Sequence, residues 1–112
     1  MKKPLTKDSG KKIKFDSGML RDDTQDKPRY DLIYVPMLKR LANLHARGAK
    51  LYGERNWEMA RTQEDLNRFR ESAFRHFIQW FNGETDEDHA AAVFFNINGA
   101  ELVILKLLCQ KK

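Results

Sequence analysis

The stretch Gly83-Glu84-Thr85-Asp86-Glu87-Asp88-His89 puts four carboxylates and an imidazole within seven residues. Oxygen donors beside a histidine are the usual ligands of a divalent cation, and His76 offers a second imidazole on the preceding segment. If the two segments end side by side, His76, Glu84, Asp86, Asp88 and His89 converge into one metal cluster. Such a set favours Mg²⁺ or Mn²⁺, and a histidine ligand tilts the choice toward Mn²⁺ or a later metal. The spacing matches no zinc-type pattern. A second reading needs no metal: Asp86, Glu87 and Asp88 equally suit a helix start, where unpaired N–H groups and the helix dipole favour negative charge.

Seven residues beyond His89 comes Asn96, roughly 10 Å further along the same helix face. Both groups are costly to bury without partners. A different chemistry is written in Lys50-Leu51-Tyr52-Gly53-Glu54-Arg55-Asn56-Trp57. Lys50 and Arg55 supply cations for phosphate, the Asn56 amide can read a base edge, and Tyr52 or Trp57 can stack on a base. These are the ingredients of a nucleotide pocket, although a helix C-terminus with a basic residue and a surface tryptophan reads the same way. Arg75 can serve a phosphate or pair with Glu71 one helical turn back. The sequence holds no glycine-rich phosphate loop, nucleophile elbow or dinucleotide fingerprint.

Three helices must position these groups. The first is predicted from Pro36 to about Tyr52, with Pro36 at a first-turn position and Gly53 as the stop. Its stripe is Met37, Leu41, Leu44, Gly48 and Leu51. Thr62 and Asp65 predict a capped start for the second helix, with Leu66, Phe69, Ala73, Phe77 and Trp80 on one face and Gly83 as its end. The same Thr-x-x-Asp arrangement, Thr85 to Asp88, predicts the start of the third. From His89 to about Leu108 that helix is apolar nearly all round. His89, Ala92, Val93, Asn96, Ala100, Val103 and Leu107 share a narrow arc, while Phe94, Leu105 and Leu108 face away. A helix apolar on both sides needs more cover than two neighbours give, which predicts a homo-oligomer through residues 86–110.

At 112 residues, with 41% hydrophobic and 33% charged residues, the chain reads as one soluble globular domain. Its one cysteine, Cys109, excludes an internal disulfide and a cysteine-based zinc site, and suits a reducing cytoplasm. No apolar run follows the N-terminal lysines, so neither a signal peptide nor a membrane partner is expected. Residues 1–14 carry six lysines against Asp8, which is the whole net charge of +5; the sequence pI of about 9.4 reflects that arm. No aromatic residues interleave with those lysines, so a nucleic-acid partner is not expected. Residues 1–28 read as a basic, extended arm and 29–112 as a single all-α nucleotide-binding domain.

Four ordered blocks then carry a resemblance: residues 15–23 (FDSGMLRDD), 27–33 (KPRYDLI), 46–58 (ARGAKLYGERNWE) and 72–96 (SAFRHFIQWFNGETDEDHAAAVFFN). Over roughly residues 13–108 the chain resembles the phage dATP/dGTP diphosphohydrolase N-terminal domain family. The resemblance implies an all-α, MazG-like nucleotide pyrophosphohydrolase that splits a dNTP into dNMP and pyrophosphate with divalent metal. It carries over Arg29, Tyr30 and Asp31; Lys50, Tyr52, Gly53, Arg55, Asn56 and Trp57; Arg75, His76 and Trp80; and Asp88, His89 and Asn96. Glu84, Asp88 and His89 are expected to hold the metal and carry catalysis. Arg29, Lys50, Tyr52, Arg55, Asn56, Trp57, Arg75, His76 and Asn96 are expected to bind the ligand. The setting implied is the cytoplasm of a phage-infected bacterium. In one respect the chain departs from the MazG pattern: Glu84 and Glu87 form an E-x-x-E, but no E-x-x-D follows. Two or more metal ions on a triphosphate call for several carboxylates. A non-catalytic alternative therefore stands beside hydrolysis, a sponge-like protein that sequesters immune signalling nucleotides.

Overall fold

The structure is a computed structural model that describes residues 10–23 and 26–110. The lysine-rich stretch 1–9 lies outside the described residues. Contacts divide the chain into two compact units, one ending at Ile33 and the other beginning at Tyr34.

In the first unit a small hairpin stands where the sequence predicts only extended arm. Strand β1 (Lys12–Lys14) pairs antiparallel with β2 (Leu20–Asp22), Lys12 facing Asp22 and Ile13 facing Arg21. Opposite charges across strands favour that register. Gly18 at φ 91° closes the turn, its N–H donating to the Phe15 carbonyl at 2.8 Å. A short 3₁₀ turn follows at Tyr30–Leu32.

The second unit holds three helices, as the sequence predicts. Helix α1 (Val35–Tyr52) starts one residue before Pro36 and stops at Gly53, whose N–H returns to the Ala49 carbonyl. A 3₁₀ turn (Asn56–Met59) follows. Helix α2 (Gln63–Phe81) has the expected reciprocal cap: the Asp65 N–H donates to Thr62 Oγ1 while Asp65 Oδ2 accepts from the Thr62 and Arg61 N–H groups. Gly83 follows at φ 77°.

Helix α3 (His89–Gln110) differs at its start. Thr85 does not cap it and the acids do not fill its first turn. Asp88 is the residue before the helix, and its Oδ1 accepts from the Ala91 N–H at 3.1 Å, the N-cap geometry. Asp86 and Glu87 therefore lie in the approach to the helix.

α3 is central and packs against both α2 and α1. Its buried face is His89, Ala91, Ala92, Asn96, Gly99, Ala100 and Val103, close to the predicted arc, with Phe94, Leu105 and Leu108 exposed as expected. On α2 the buried line runs through Leu66, Ser72 and the partly buried Phe69 and His76. Phe77 and Trp80, expected to face inward, are 43% and 52% exposed. The physical reason is close helix approach: a Cβ at Gly99 would lie 2.5 Å from the Phe69 ring. With α3 that near, the Phe69 ring fits only against a residue without a side chain, and Phe77 and Trp80 are turned outward.

Candidate functional site

The approach to α3 is built around two interlocking polar clusters. In the first, Arg40 of α1 grips Asp88 with two bonds, Nε to Oδ2 at 2.8 Å and Nη2 to Oδ1 at 2.7 Å. With the Ala91 N–H this gives Asp88 three donors, of roughly four that a carboxylate can accept. The Arg40 hydrogen bond, against the opposing effect of burial, holds the Asp88 carboxyl below its ordinary range. Asp88 thus fixes both the start of α3 and its angle to α1.

The second cluster is a chain of side chains, Asp86–His89–His76. Asp86 Oδ1 lies 2.7 Å from His89 Nε2, and His89 Nδ1 lies 2.8 Å from His76 Nδ1. His89 is 2% exposed. An ionised carboxylate only accepts, so His89 Nε2 carries a hydrogen. This bond holds Asp86 below the usual carboxylate range. One proton lies between the two Nδ1 atoms, since two lone pairs or two N–H groups would repel at that distance. Burial pushes His76 below its ordinary value, joined by the charge of Arg75 and opposed by Glu87.

Two adjoining clefts open beside these clusters. One, about 390 Å³, is lined by Arg47, Arg68, Ser72, His76, Glu87, Asp88 and Asn96 among others. The other, about 400 Å³, is an aromatic slot. In it His45 meets Trp57 edge-on at 5.6 Å and tilts over Phe95 at 4.9 Å. Tyr52, Arg55 and Asn56 complete its rim. Gly48, Tyr52 and Phe95 line both clefts.

The residues singled out in the sequence fall into five places. Tyr52, Arg55, Asn56 and Trp57 come together in the slot; His76, Asp88 and Asn96 line the polar cleft. His89 sits buried behind His76, and Glu84 lies close to Asp86 and His89, their ligand atoms within 4.8 Å of one another. Asn96 turns its amide back onto its own helix, Nδ2 donating to the Ala92 carbonyl at 2.8 Å. Arg55, in left-handed conformation at φ 59°, pairs with Glu58. Lys50 and Arg75 are exposed on their helices. Arg29 belongs to the first unit, where it grips Asp31 with two bonds at 2.9 and 2.7 Å.

Four residues escaped the sequence reading: Arg40, Arg47, His45 and Arg68. The signal was present for three. Arg40, Leu44, Arg47 and Leu51 follow steps of four, three and four, so two arginines lie within the apolar stripe of α1. Arg68, Ser72 and His76 are likewise spaced by four on one face of α2.

A helical unit with an aromatic slot opening onto a cleft of arginines, histidine and carboxylate has the make-up of a small-ligand site. Residues 17–110 match the family described as dATP/dGTP diphosphohydrolase, N-terminal, and the chain belongs to that family. Comparison with curated proteins and with solved structures gave no match.

Proposed function

We propose that the protein binds a purine nucleoside triphosphate across the two clefts and, with a divalent metal, hydrolyses it to the monophosphate and pyrophosphate. The base would enter the slot between His45, Trp57 and Phe95, with the Asn56 amide at its edge. The polyphosphate would run past Gly48 toward Arg47, Arg68 and His76. The observation that carries this reading is the shared wall: one ligand can reach an aromatic surface and a pair of guanidinium groups at once. The family description names the purine deoxynucleotides as the substrate class.

In this reading water attacks the α-phosphorus and the bond to the β-phosphate oxygen breaks. Glu84, Glu87 and His89 supply donors toward a metal, and Asp88 holds the α3 end in place through Arg40. The metal would neutralise phosphate charge and activate water. A second reading, sequestration without cleavage, is favoured by the engagement of Asp88 with Arg40, which leaves fewer carboxylates for several ions. One experiment separates them. The protein is incubated with dATP or dGTP and Mg²⁺ or Mn²⁺, and the products are resolved by chromatography. Hydrolysis predicts monophosphate and pyrophosphate; sequestration predicts intact nucleotide recovered after heat denaturation. No binding of either nucleotide would overturn both.

The uncovered apolar side chains of α3, among them Phe94, Leu105 and Leu108, support assembly of the chain with further copies of itself.

A further inference from the structure

We propose that His76, His89 and Glu87 form a site for a single transition-metal cation of the zinc, cobalt or manganese type, with Asp86 as the carboxylate that orients His89. One of these three ligands, Glu87, is outside the cluster expected from the sequence. The site deepens the metal dependence proposed above, but its geometry stands without any nucleotide.

Three observations converge. The two Nδ1 atoms come from different helices and stop 2.8 Å apart, each aimed at the other. Glu87 offers a carboxylate oxygen to the same pair of histidines, one ligand atom from each of the three residues lying within 4.8 Å of the others. Asp86 holds the opposite nitrogen of His89 at 2.7 Å, so Nδ1 is the nitrogen left to ligate. A metal-bound histidine that donates its other N–H to a carboxylate is the common outer arrangement of such centres. Bonds of about 2.0–2.1 Å from one ion to both nitrogens need them roughly 3–3.4 Å apart, so each ring moves by only a few tenths of an ångström. The proton now between the nitrogens gives way to the ion, and His76 takes up its other tautomer with the hydrogen on Nε2, so that two neutral imidazoles ligate through Nδ1. Two imidazoles and one carboxylate suit a borderline cation, whereas Mg²⁺ and Ca²⁺ prefer oxygen ligands. His76 and Glu87 also line the polar cleft, so a fourth coordination position can open toward water or a phosphate oxygen.

The test uses the full chain, stripped of metal and free of nucleotide, titrated with Zn²⁺ and with Co²⁺. One equivalent per chain is expected, with visible Co²⁺ absorption bands. Nitrogen NMR should show both Nδ1 resonances shifting on Zn²⁺ addition. His76→Gln and Glu87→Gln should weaken binding by at least about tenfold, and Asp86→Asn by about 10–100-fold, with far-UV dichroism unchanged. Millimolar Mg²⁺ should not compete. The site is overturned by sub-stoichiometric binding, by wild-type affinity in all three variants, or by equal competition from Mg²⁺. If a variant does not fold, unmoved Nδ1 resonances in the wild-type chain refute the proposal by themselves. Nucleotide binding is measured separately in the presence of chelator: its retention alongside failed metal binding removes this site and leaves the nucleotide reading standing.

Discussion

Asp88 shows how much one residue can be asked to do. Its carboxylate caps α3 and also receives the Arg40 fork. Asparagine keeps a capping oxygen but loses the charge, and alanine loses both. Asp88→Ala is therefore expected to cost roughly 1 kcal/mol more than Asp88→Asn in urea unfolding. Equal losses would mean the cap contributes nothing. Gly48 works by absence. A Cβ there meets nothing within 4 Å, yet the residue lines both clefts. Gly48→Ala should raise stability by up to about 1 kcal/mol through helix propensity. Gly48→Phe should fill the shared wall and abolish nucleotide retention without lowering the melting temperature. Undiminished retention in that variant would place the ligand elsewhere. At this scale the sequence revealed His76 and His89, because an imidazole near an apolar stripe stands out, but not His45. It concealed Arg40 and Arg47, because guanidinium groups on a helix are ordinarily solvent-facing and only the α3 carboxylate and the cleft reveal their use.

Between elements, the two Thr-x-x-Asp segments are instructive because only one behaves as its pattern predicts. At Thr62 the cap needs nothing beyond residues 61–65, so local chemistry decides it. Thr62→Ala should cost about 1 kcal/mol. The Asp65 carboxyl is held below its ordinary value of 3.8, chiefly by the Arg61 N–H and then by Thr62. A depressed acid stabilises the fold above that ordinary value, and the contribution is lost as pH falls through the lower folded value. Asp65→Asn should thus flatten the stability profile below about pH 4; a profile unchanged in shape would rule the cap out as its source. At Thr85 distant partners win instead. Arg40 fixes Asp88, and Asp86 must reach back to a buried His89, so the helix begins later than its local signals say. Helix contacts were similarly only half legible. The arc on α3 follows from period alone, but the outward turn of Phe77 and Trp80 depends on how near α3 comes. Gly99→Ala tests that closeness: it should destabilise the fold by roughly 1–3 kcal/mol through the Phe69 ring, and a neutral result in thermal unfolding would show that the ring has room to move.

For the molecule as a whole the notable quantity is how little apolar surface is covered. Among the described residues only Leu66, Ala91, Ala92, Ala100 and Val103 form the buried hydrophobic set. α3 is long and apolar enough to cross a membrane by length and composition, but only 28% of that window is buried. Its inward face nevertheless carries His89 and Asn96, so the helix is committed to the bundle, and other copies are the proposed cover for its outer face. Light scattering should give a mass above the 13.2 kDa of one chain, and Leu105→Glu, at an exposed position, should reduce it to the monomer. A wild-type monomer would dismiss the assembly. That need for outside cover was legible from apolar periodicity, whereas the hairpin was not, since a three-residue strand pair leaves almost no periodic signal. Two ties to α3 have a bearing on time. The Lys106 ammonium donates to the Glu58 carbonyl and, at 2.8 Å, to that of Ala60, just as Arg40 waits for Asp88. During synthesis these partners emerge 48 residues apart, roughly 2–10 s at ribosomal rates. The slot and the cleft are consequently finished late, by the helix that supplies Phe95 to both, and a nascent chain released before residue 95 would leave the ribosome with its ligand-binding surfaces unmade.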